Sequence, residues 1–249
     1  MKDLFSGARH LLAGLKIIRQ PGLRRYVMVP LIVNIAVFGG LIYQAIHWYQ
    51  ILLDKLLGFL PGWLAWLQYL LLPLFAVTVV LIVFYGFTLL ANLIAAPFNG
   101  LLAEAVERHL TGQPIADSGD WKTLVKDIVP SVLSEVRKLL YFLLWAIPFG
   151  ILFLIPGVNL AAPVLWGLFS AWMLALEYCD YPMGNHHLFF AAQRARLRRR
   201  RMLSLGFGVT TLLFTLIPVV NFVAMPMAVA GATSLWVREL RDSGTSQGI

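Results

Sequence analysis

Four long stretches without a charged side chain dominate the pattern of polar and apolar positions along the chain. They cover residues 26–46, 56–103, 139–176 and 202–237. An α-helix rises about 1.5 Å per residue, so about 20 apolar residues are enough to cross the hydrocarbon core of a bilayer. The pattern therefore predicts an all-α integral membrane protein rather than a large soluble core.

The first two stretches each predict one long transmembrane helix. Span 1 covers residues 26–46, and its helix is expected to begin near Pro21, because proline suits the first helical turn. Glycine and proline at positions 58, 61 and 62 interrupt the second stretch early. Span 2 is therefore placed at residues 69–96, ending at Pro97.

The third and fourth stretches are too long for one ordinary crossing and barely long enough for two. Prolines near the middle of each predict two helical hairpins, at residues 139–177 and 202–237, that turn at Pro156 and Pro218. Each hairpin is either a pair of short crossings or a re-entrant pair. Re-entrant backbone must be covered by protein or by a water-filled cavity, since lipid cannot satisfy its hydrogen bonds.

The two hairpins also resemble each other in sequence. Residues 155–159 (Ile-Pro-Gly-Val-Asn) correspond to residues 217–221 (Ile-Pro-Val-Val-Asn), and the same spacing relates Glu177 to Glu239. The correspondence indicates either a duplicated unit or similar turn chemistry used twice. Repeated, proline-broken membrane segments are the pattern from which transporters build a site at the repeat interface.

Basic residues predict the orientation of these segments. All Lys and Arg residues except Lys55 fall in residues 1–25, 97–138 and 178–201 or in the C-terminal tail. Cytoplasmic loops collect basic residues. We therefore expect a multi-pass protein of a bacterial inner membrane with both termini in the cytoplasm. Residues 1–25 and 97–138 are interpreted as amphipathic cytoplasmic helices, and residues 178–201 as a basic cytoplasmic loop.

Composition supports this assignment and narrows the function classes. Hydrophobic residues make up 59% of the 249 residues and charged residues only 13%, against about 25% charged in soluble domains. The net charge of +8 is explained by loop topology and anionic lipid headgroups, so nucleic acid is not an expected partner. Cys179 is the only cysteine, which excludes an internal disulfide and a cysteine-based zinc cluster. No nucleotide or other cofactor motif is present.

The segment Gln20–Arg25 is the sharpest candidate site. A helix that starts here directs unpaired N–H groups and the positive end of its dipole outward, and Gly22 gives a ligand close access to the backbone. Arg24 and Arg25 add two guanidinium groups at the same place. A tetrahedral dianion could accept hydrogen bonds from both kinds of donor. The alternative is that these basic residues only anchor the segment at the membrane surface.

Neutral amides are the candidate lining of an anion path. The four uncharged stretches contain no ionisable residue of the kind that proton-coupled pumps use, which favours passive flow. Each stretch contains an asparagine, which either packs helices or solvates an anion. Glu104 can also be explained by an i,i+4 ion pair with Arg108. The candidate pore-lining residues are Asn34, Asn92, Asn99, Glu104, Asn159 and Asn221.

Two further motifs have simpler explanations. The arginines at positions 194, 196 and 198–201 form the densest basic stretch, and binding to anionic lipid explains them best. His186 and His187 lie close to Asp180, which leaves metal or acid–base chemistry as a weaker alternative. Neither a His-Glu-x-x-His motif nor a Gly-x-Ser-x-Gly motif is present, so no catalytic or metal-binding residue is assigned.

Taken in order, these motifs resemble the CysZ-type sulfate permeases, which belong to a wider family that includes etoposide-induced membrane proteins. The resemblance covers roughly residues 4 to 240. It is carried by Gly22-Leu23-Arg24-Arg25, by Ala96-Pro97-Phe98-Asn99, by Glu177-Tyr178 with Tyr181-Pro182, and by the two proline-broken hairpins.

The resemblance implies a bacterial inner-membrane homo-oligomer that admits sulfate for cysteine synthesis. It implies two long transmembrane helices and two hairpins that penetrate the membrane partway. It also implies that sulfate binds Gly22, Leu23, Arg24 and Arg25. The alternative is a membrane scaffold without transport activity that binds a partner through its basic cytoplasmic face.

Overall fold

The computed structural model of the protein describes residues 2–58, 66–113 and 121–241, and all its regular elements are helices. A 3₁₀ turn at Val158–Leu160 and a π-helical turn at Trp236–Leu240 accompany eight α-helices in the described ranges. The prediction of an all-α protein is confirmed. The α-helices are α1 (Lys2–Ile18), α2 (Arg25–Gly58), α3 (Gln68–Thr111), α4 (Trp121–Leu152), α5 (Ala162–Gly184), α6 (Phe190–Arg199), α7 (Arg201–Thr215) and α8 (Pro218–Leu235).

The proline positions of the third and fourth stretches coincide with turns between helices. Helix α4 ends before Pro156, and Gly157 has a φ of 84°, a left-handed conformation that glycine adopts without strain. Helix α8 begins at Pro218, where the missing N–H would in any case have no intrahelical partner. Both prolines therefore lie between helices, and the hairpins themselves stay a prediction.

Two predicted helix ends are wrong. Helix α3 does not end at Pro97 but continues to Thr111, so residues 97–111 extend the helix of span 2. Helix α2 begins at Arg25 rather than Pro21, because Gly22 has a φ of 88° and no right-handed helix can include that conformation. The break predicted at residues 61 and 62 lies outside the described residues.

Two of the described helices are long and apolar enough to cross a membrane. They are Arg25–Tyr49, which contains the predicted span 1, and Ala162–Gly184, which is the second arm of the first hairpin. Helix α7 is apolar but shorter. The predicted span 2 lies within α3, and the side chains of residues 86–97 are outside the described part of the structure. These features are those of a membrane protein.

The chain divides into two compact units, residues 1–25 with 99–249, and residues 26–98. The smaller unit contains most of α2 and the first part of α3, with Tyr49 and Phe75 stacked at 5.5 Å between ring centroids. In the larger unit, α1 packs on α7 and α8, and α5 also packs on both. In the core of the larger unit, the N-terminal helix therefore packs against the second predicted hairpin.

Glycines allow α1, α7 and α8 to approach one another backbone to backbone. A methyl group added at Gly7 would collide with the Leu203 carbonyl oxygen, and one at Gly206 would collide with Leu4. At the α1–α8 contact, a Cβ on Gly231 would lie 2.8 Å from the His10 carbonyl oxygen. Small residues of this kind are what allow close helix packing in membranes, where the hydrophobic effect does not drive helices together.

The amphipathic face predicted for the N-terminal segment is covered by protein. Leu11 is fully buried, and the other buried residues of α1 recur on the same side of the helix. This buried set is Gly7, His10, Leu11, Gly14, Ile17 and Ile18. Helix α1 is therefore a structural part of the larger unit.

Candidate functional site

The predicted anion-binding segment forms a tight turn between α1 and α2. The N–H of Gln20 donates to the Ile17 carbonyl at 3.0 Å, and the N–H of Leu23 donates to the Gln20 carbonyl at 3.2 Å. Gly22 lies at the apex with a φ of 88° and no described atom within 4 Å of its missing Cβ. The apex is thus open to a ligand, whereas Leu23 is 5% exposed and fixes the turn to the protein.

The two arginines follow this apex and are both exposed. The Nε of Arg24 donates to the Arg19 carbonyl oxygen at 2.6 Å, which orients the planar guanidinium and keeps its Nη edge for a ligand. Arg25 is the first residue of α2, so its backbone N–H belongs to the positive end of the helix dipole. The Arg24 guanidinium and the N–H groups at the start of α2 are thus neighbours in the chain, and both kinds of group can donate to an oxyanion.

Among the candidate pore residues whose side chains are described, Asn99 is the most buried, with 6% of its surface exposed. Its Nδ2 donates to the Tyr181 hydroxyl and to the sulfur of Met225, both at 3.3 Å. Close by, the Nδ2 of Asn185 donates to the Gly100 carbonyl at 3.2 Å. These bonds link α3 to α5 and α8, which corresponds to the helix-packing use of an amide.

The remaining pore candidates are dispersed. Glu104 lies 3.9 Å from Arg108, as the i,i+4 explanation predicts. Asn159 and Asn221 are exposed at the two turns, and the Oδ1 of Asn34 is buried without a hydrogen-bond donor among the described residues. Asn92 lies in α3, and its side chain is outside the described part.

A buried lysine forms the strongest charged cluster, and sequence reasoning did not single it out. The Nζ of Lys138 lies 2.7 Å from Asp180, 3.0 Å from Glu135 and 3.1 Å from Glu177. Burial lowers the pKa of Lys138, but Asp180 and Glu177 outweigh burial and the net pKa is raised. Lys138 therefore stays charged and holds α4 against α5. Asp180 also accepts a hydrogen bond from Gln193.

A second network centres on Glu107, which is 2% exposed. His186 Nε2 lies 2.8 Å from its carboxylate, and the Arg241 guanidinium lies at 3.2 Å. His186 and Asp180 are thus committed to different networks, and within the described residues no set of three His, Cys, Asp or Glu side chains could hold a metal.

A third network attaches α1 by polar contacts. His10 Nδ1 lies 3.1 Å from the Ser234 hydroxyl, and its Nε2 lies 3.8 Å from Glu239. Arg200 joins Glu239 at 3.3 Å and Asp3 at 3.4 Å. The acidic residues related by the internal repeat, Glu177 and Glu239, therefore both have cationic partners and a structural role.

Comparison with known proteins gives one consistent result. The profile of the family described as "Sulfate transporter CysZ/Etoposide-induced protein 2.4" matches residues 10–226. The "Sulfate transporter CysZ" of Pseudomonas fluorescens is 49% identical over 236 residues, covering 95% of this chain and 94% of the relative. The protein of the same name from Pectobacterium atrosepticum is 45% identical over 238 residues, covering 95% and 86%. The chain therefore belongs to the CysZ/etoposide-induced protein family of membrane proteins.

Proposed function

We propose that this protein is a sulfate permease of the bacterial inner membrane that supplies sulfate for cysteine synthesis. The observation that carries the proposal is the similarity to two sulfate transporters over 95% of the chain. The same similarity makes the protein a transporter rather than an enzyme, and disfavours both the scaffold and the metal-enzyme alternatives. Passive flow is proposed because the uncharged stretches contain no ionisable residue.

The proposed sulfate-binding element consists of Gly22, Leu23, Arg24 and Arg25. Sulfate would accept hydrogen bonds from the Nη groups of Arg24 and from the backbone at the start of α2, close to the open apex at Gly22. Two observations support this assignment, namely the bond that orients Arg24 and the absence of described atoms beside Gly22. Arginine suits the role because its planar donors match a tetrahedral oxyanion.

The remaining features of the proposal concern membrane placement. We place both termini in the cytoplasm, because nearly all basic residues lie in segments on one side of the predicted spans. The hairpins at 139–177 and 202–237 are either re-entrant or short crossings, and the anion path lies beside them. Anionic lipids are proposed to bind the basic segment 178–201, and the protein is proposed to work as a homo-oligomer.

Radiolabelled sulfate uptake into liposomes tests this function. Wild-type protein is compared with Arg24→Ala/Arg25→Ala, and with Arg24→Lys, which keeps the charge but loses the Nε–H bond to Arg19. We expect the double variant to lower uptake at least tenfold and the lysine variant to lower it severalfold, since charge-assisted hydrogen bonds contribute about 1.5–3 kcal/mol. Lys16→Ala is the matched control, because Lys16 is an exposed cation on the adjacent α1.

The outcomes separate the proposals. Uptake that is normal in wild type and unchanged in both arginine variants would retain the permease but reject the Gly22–Arg25 site. Uptake by wild type no faster than in empty liposomes, from inserted and folded protein, would reject the permease and favour the scaffold. An equal loss in Lys16→Ala would show that overall surface charge, not the turn, determines flux.

A further inference from the structure

An aromatic groove in the larger unit includes none of the proposed sulfate-binding residues. It has a volume of about 430 Å³, within the range of about 300–1,000 Å³ that is usual for ligand pockets. Helices α4 and α5 provide its apolar wall, and α6 and α7 provide three arginines. The apolar wall includes Trp145, Phe149, Leu165, Leu168 and Phe169.

The groove has a basic end and an apolar end. The Arg194 guanidinium lies 5.2 Å from the centre of the Tyr141 ring, which places the cationic end beside Tyr141. Phe149 lies two helical turns further along α4, roughly 12 Å away at 1.5 Å per residue. Phe149 also packs against Phe169 in a tilted arrangement with 5.2 Å between ring centroids, so aromatic rings continue the wall from α4 to α5.

The fold divides the arginine-rich stretch between different tasks. Arg194, Arg198 and Arg201 line the groove. Arg200 instead bonds Asp3 and Glu239, and Arg196 lies 5.2 Å from the centre of the Trp236 ring. No carboxylate is present among the described lining residues, so the positive charge of the groove is not neutralised there.

One residue that lines the groove has a buried donor without an acceptor. The indole Nε1 of Trp172 is buried and has no hydrogen-bond partner among the described residues. An unsatisfied buried donor costs about 1–3 kcal/mol. A ligand oxygen in the groove satisfies this donor only if the indole turns towards the groove.

We propose that this groove binds one anionic glycerophospholipid, with an acyl chain along the aromatic wall and the phosphate at Arg194, Arg198 and Arg201. The Trp172 indole turns towards the bound lipid, so that an ester or phosphate oxygen accepts its N–H. A small oxyanion would meet the arginines but leave the apolar wall empty. A zwitterionic lipid would fill the wall but bring a cationic group to three guanidinium groups. The groove thereby selects a ligand that has both an acyl chain and a negatively charged headgroup.

Native mass spectrometry of the delipidated full-length protein tests the proposal by titration with phosphatidylglycerol, phosphatidylcholine and inorganic phosphate. We expect one phosphatidylglycerol per chain to bind at least tenfold more tightly than phosphatidylcholine, with no competition from phosphate at millimolar concentration. Arg198→Gln should weaken binding about tenfold. Arg199→Gln is the matched control, because Arg199 is an exposed neighbour that does not line the groove.

Trp172→Phe removes the indole N–H together with part of the aromatic wall and should weaken binding severalfold. Equal binding of the two lipids, or equal weakening by Arg198→Gln and Arg199→Gln, would overturn the proposal. Displacement of the lipid by inorganic phosphate would instead identify a simple oxyanion site and reject the lipid. The readout is lipid retention, so loss of sulfate flux does not affect the conclusion.

Discussion

Helices α1 and α2 follow one another in the chain but use glycine in opposite ways. Gly7 of α1 lies against the backbone of α7, where even a methyl group would collide. Gly39 and Gly40 of α2 have no described atom within 4 Å of their missing side chains. Helix α2 also exposes large apolar residues, such as Ile35 at 65% and Tyr43 at 75%.

The difference shows two ways in which a helix is accommodated in a membrane protein. Helix α1 is fixed by short backbone approaches and polar contacts, so its position depends on the residues of α7 and α8. Helix α2 has an apolar surface suited to lipid, whose chains are as apolar as leucine. Substitutions that add volume should therefore have very different effects in the two helices.

The largest effect is expected from a bulky residue in α1. Gly7→Leu forces α1 away from Leu203 and Phe207, and overpacking of this kind costs about 3 kcal/mol or more. At about 2–4 °C per kcal/mol for a chain of this size, the melting temperature in detergent should fall by about 6–12 °C. Gly39→Leu is the control and should change it by less than about 2 °C. Similar shifts in both variants would contradict the comparison.

A smaller substitution sharpens the same contrast. Gly231→Ala places a methyl group 2.8 Å from the His10 carbonyl oxygen and 3.0 Å from the Leu11 Cα, so α8 must move by a few tenths of an ångström. We expect a fall of about 4 °C in melting temperature, from a cost of about 1–2 kcal/mol. Gly40→Ala should be neutral or slightly stabilising, since alanine favours helix. A destabilising Gly40→Ala would show that α2 is also closely packed.

The stability that the polar contacts of α1 give to the fold should depend on pH. Burial lowers the pKa of His10 below its ordinary value, and Arg238 acts in the same direction, whereas Glu239 raises it. The folded protein thus binds a proton at His10 less readily than the unfolded chain does. The contribution of neutral His10 to the stability of the fold is therefore fully present above the unfolded pKa of about 6.5. This contribution is lost as the pH falls below that value.

Thermal unfolding at pH 7.5 and pH 5.5 measures this effect. The fall in melting temperature on acidification should be about 2 °C smaller in His10→Gln than in wild type, because glutamine does not gain a proton in this range. His47→Gln in α2 is the control, since His47 is exposed. An unchanged pH dependence in His10→Gln would remove His10 from the attachment of α1.

A small effect on stability is also expected where the two helices join. Gly22→Ala has open space for its methyl group but a left-handed φ of 88°, which costs about 1 kcal/mol for an alanine. The melting temperature should fall by about 2–4 °C, while sulfate uptake falls more strongly because the turn no longer presents Arg24 correctly. Normal uptake in this variant would show that the shape of the turn is not needed for binding.

Local chemistry explains which features could be predicted from the sequence. Uncharged stretches predict helices in a membrane, and Pro156 and Pro218 predict turns because proline cannot continue a helix from the preceding segment. The same rule failed at Pro97, where α3 continues. Proline is tolerated inside membrane helices because neighbouring groups can satisfy the freed carbonyl, and a local rule does not include those neighbours.

The candidate site shows the same limit. The segment Gly22-Leu23-Arg24-Arg25 could be recognised from the sequence, because glycine and paired arginines have distinctive roles in short segments. The cluster at Lys138 could not be recognised from the sequence, because its partners Glu177 and Asp180 are about forty positions away. These residues contact Lys138 only after α4 and α5 pack together. Glu107 and His186 were likewise separated in the sequence.

The sequence by itself determined the helical class and the sulfate transporter family. Those properties depend on composition and on short runs of neighbouring residues. Only the tertiary structure decided that α1 lies against α7 and α8, that Arg198 and Arg200 perform different tasks, and that Lys138 is buried among carboxylates. Such contacts join distant positions, and their geometry is determined by the packing of whole helices rather than by the residues alone.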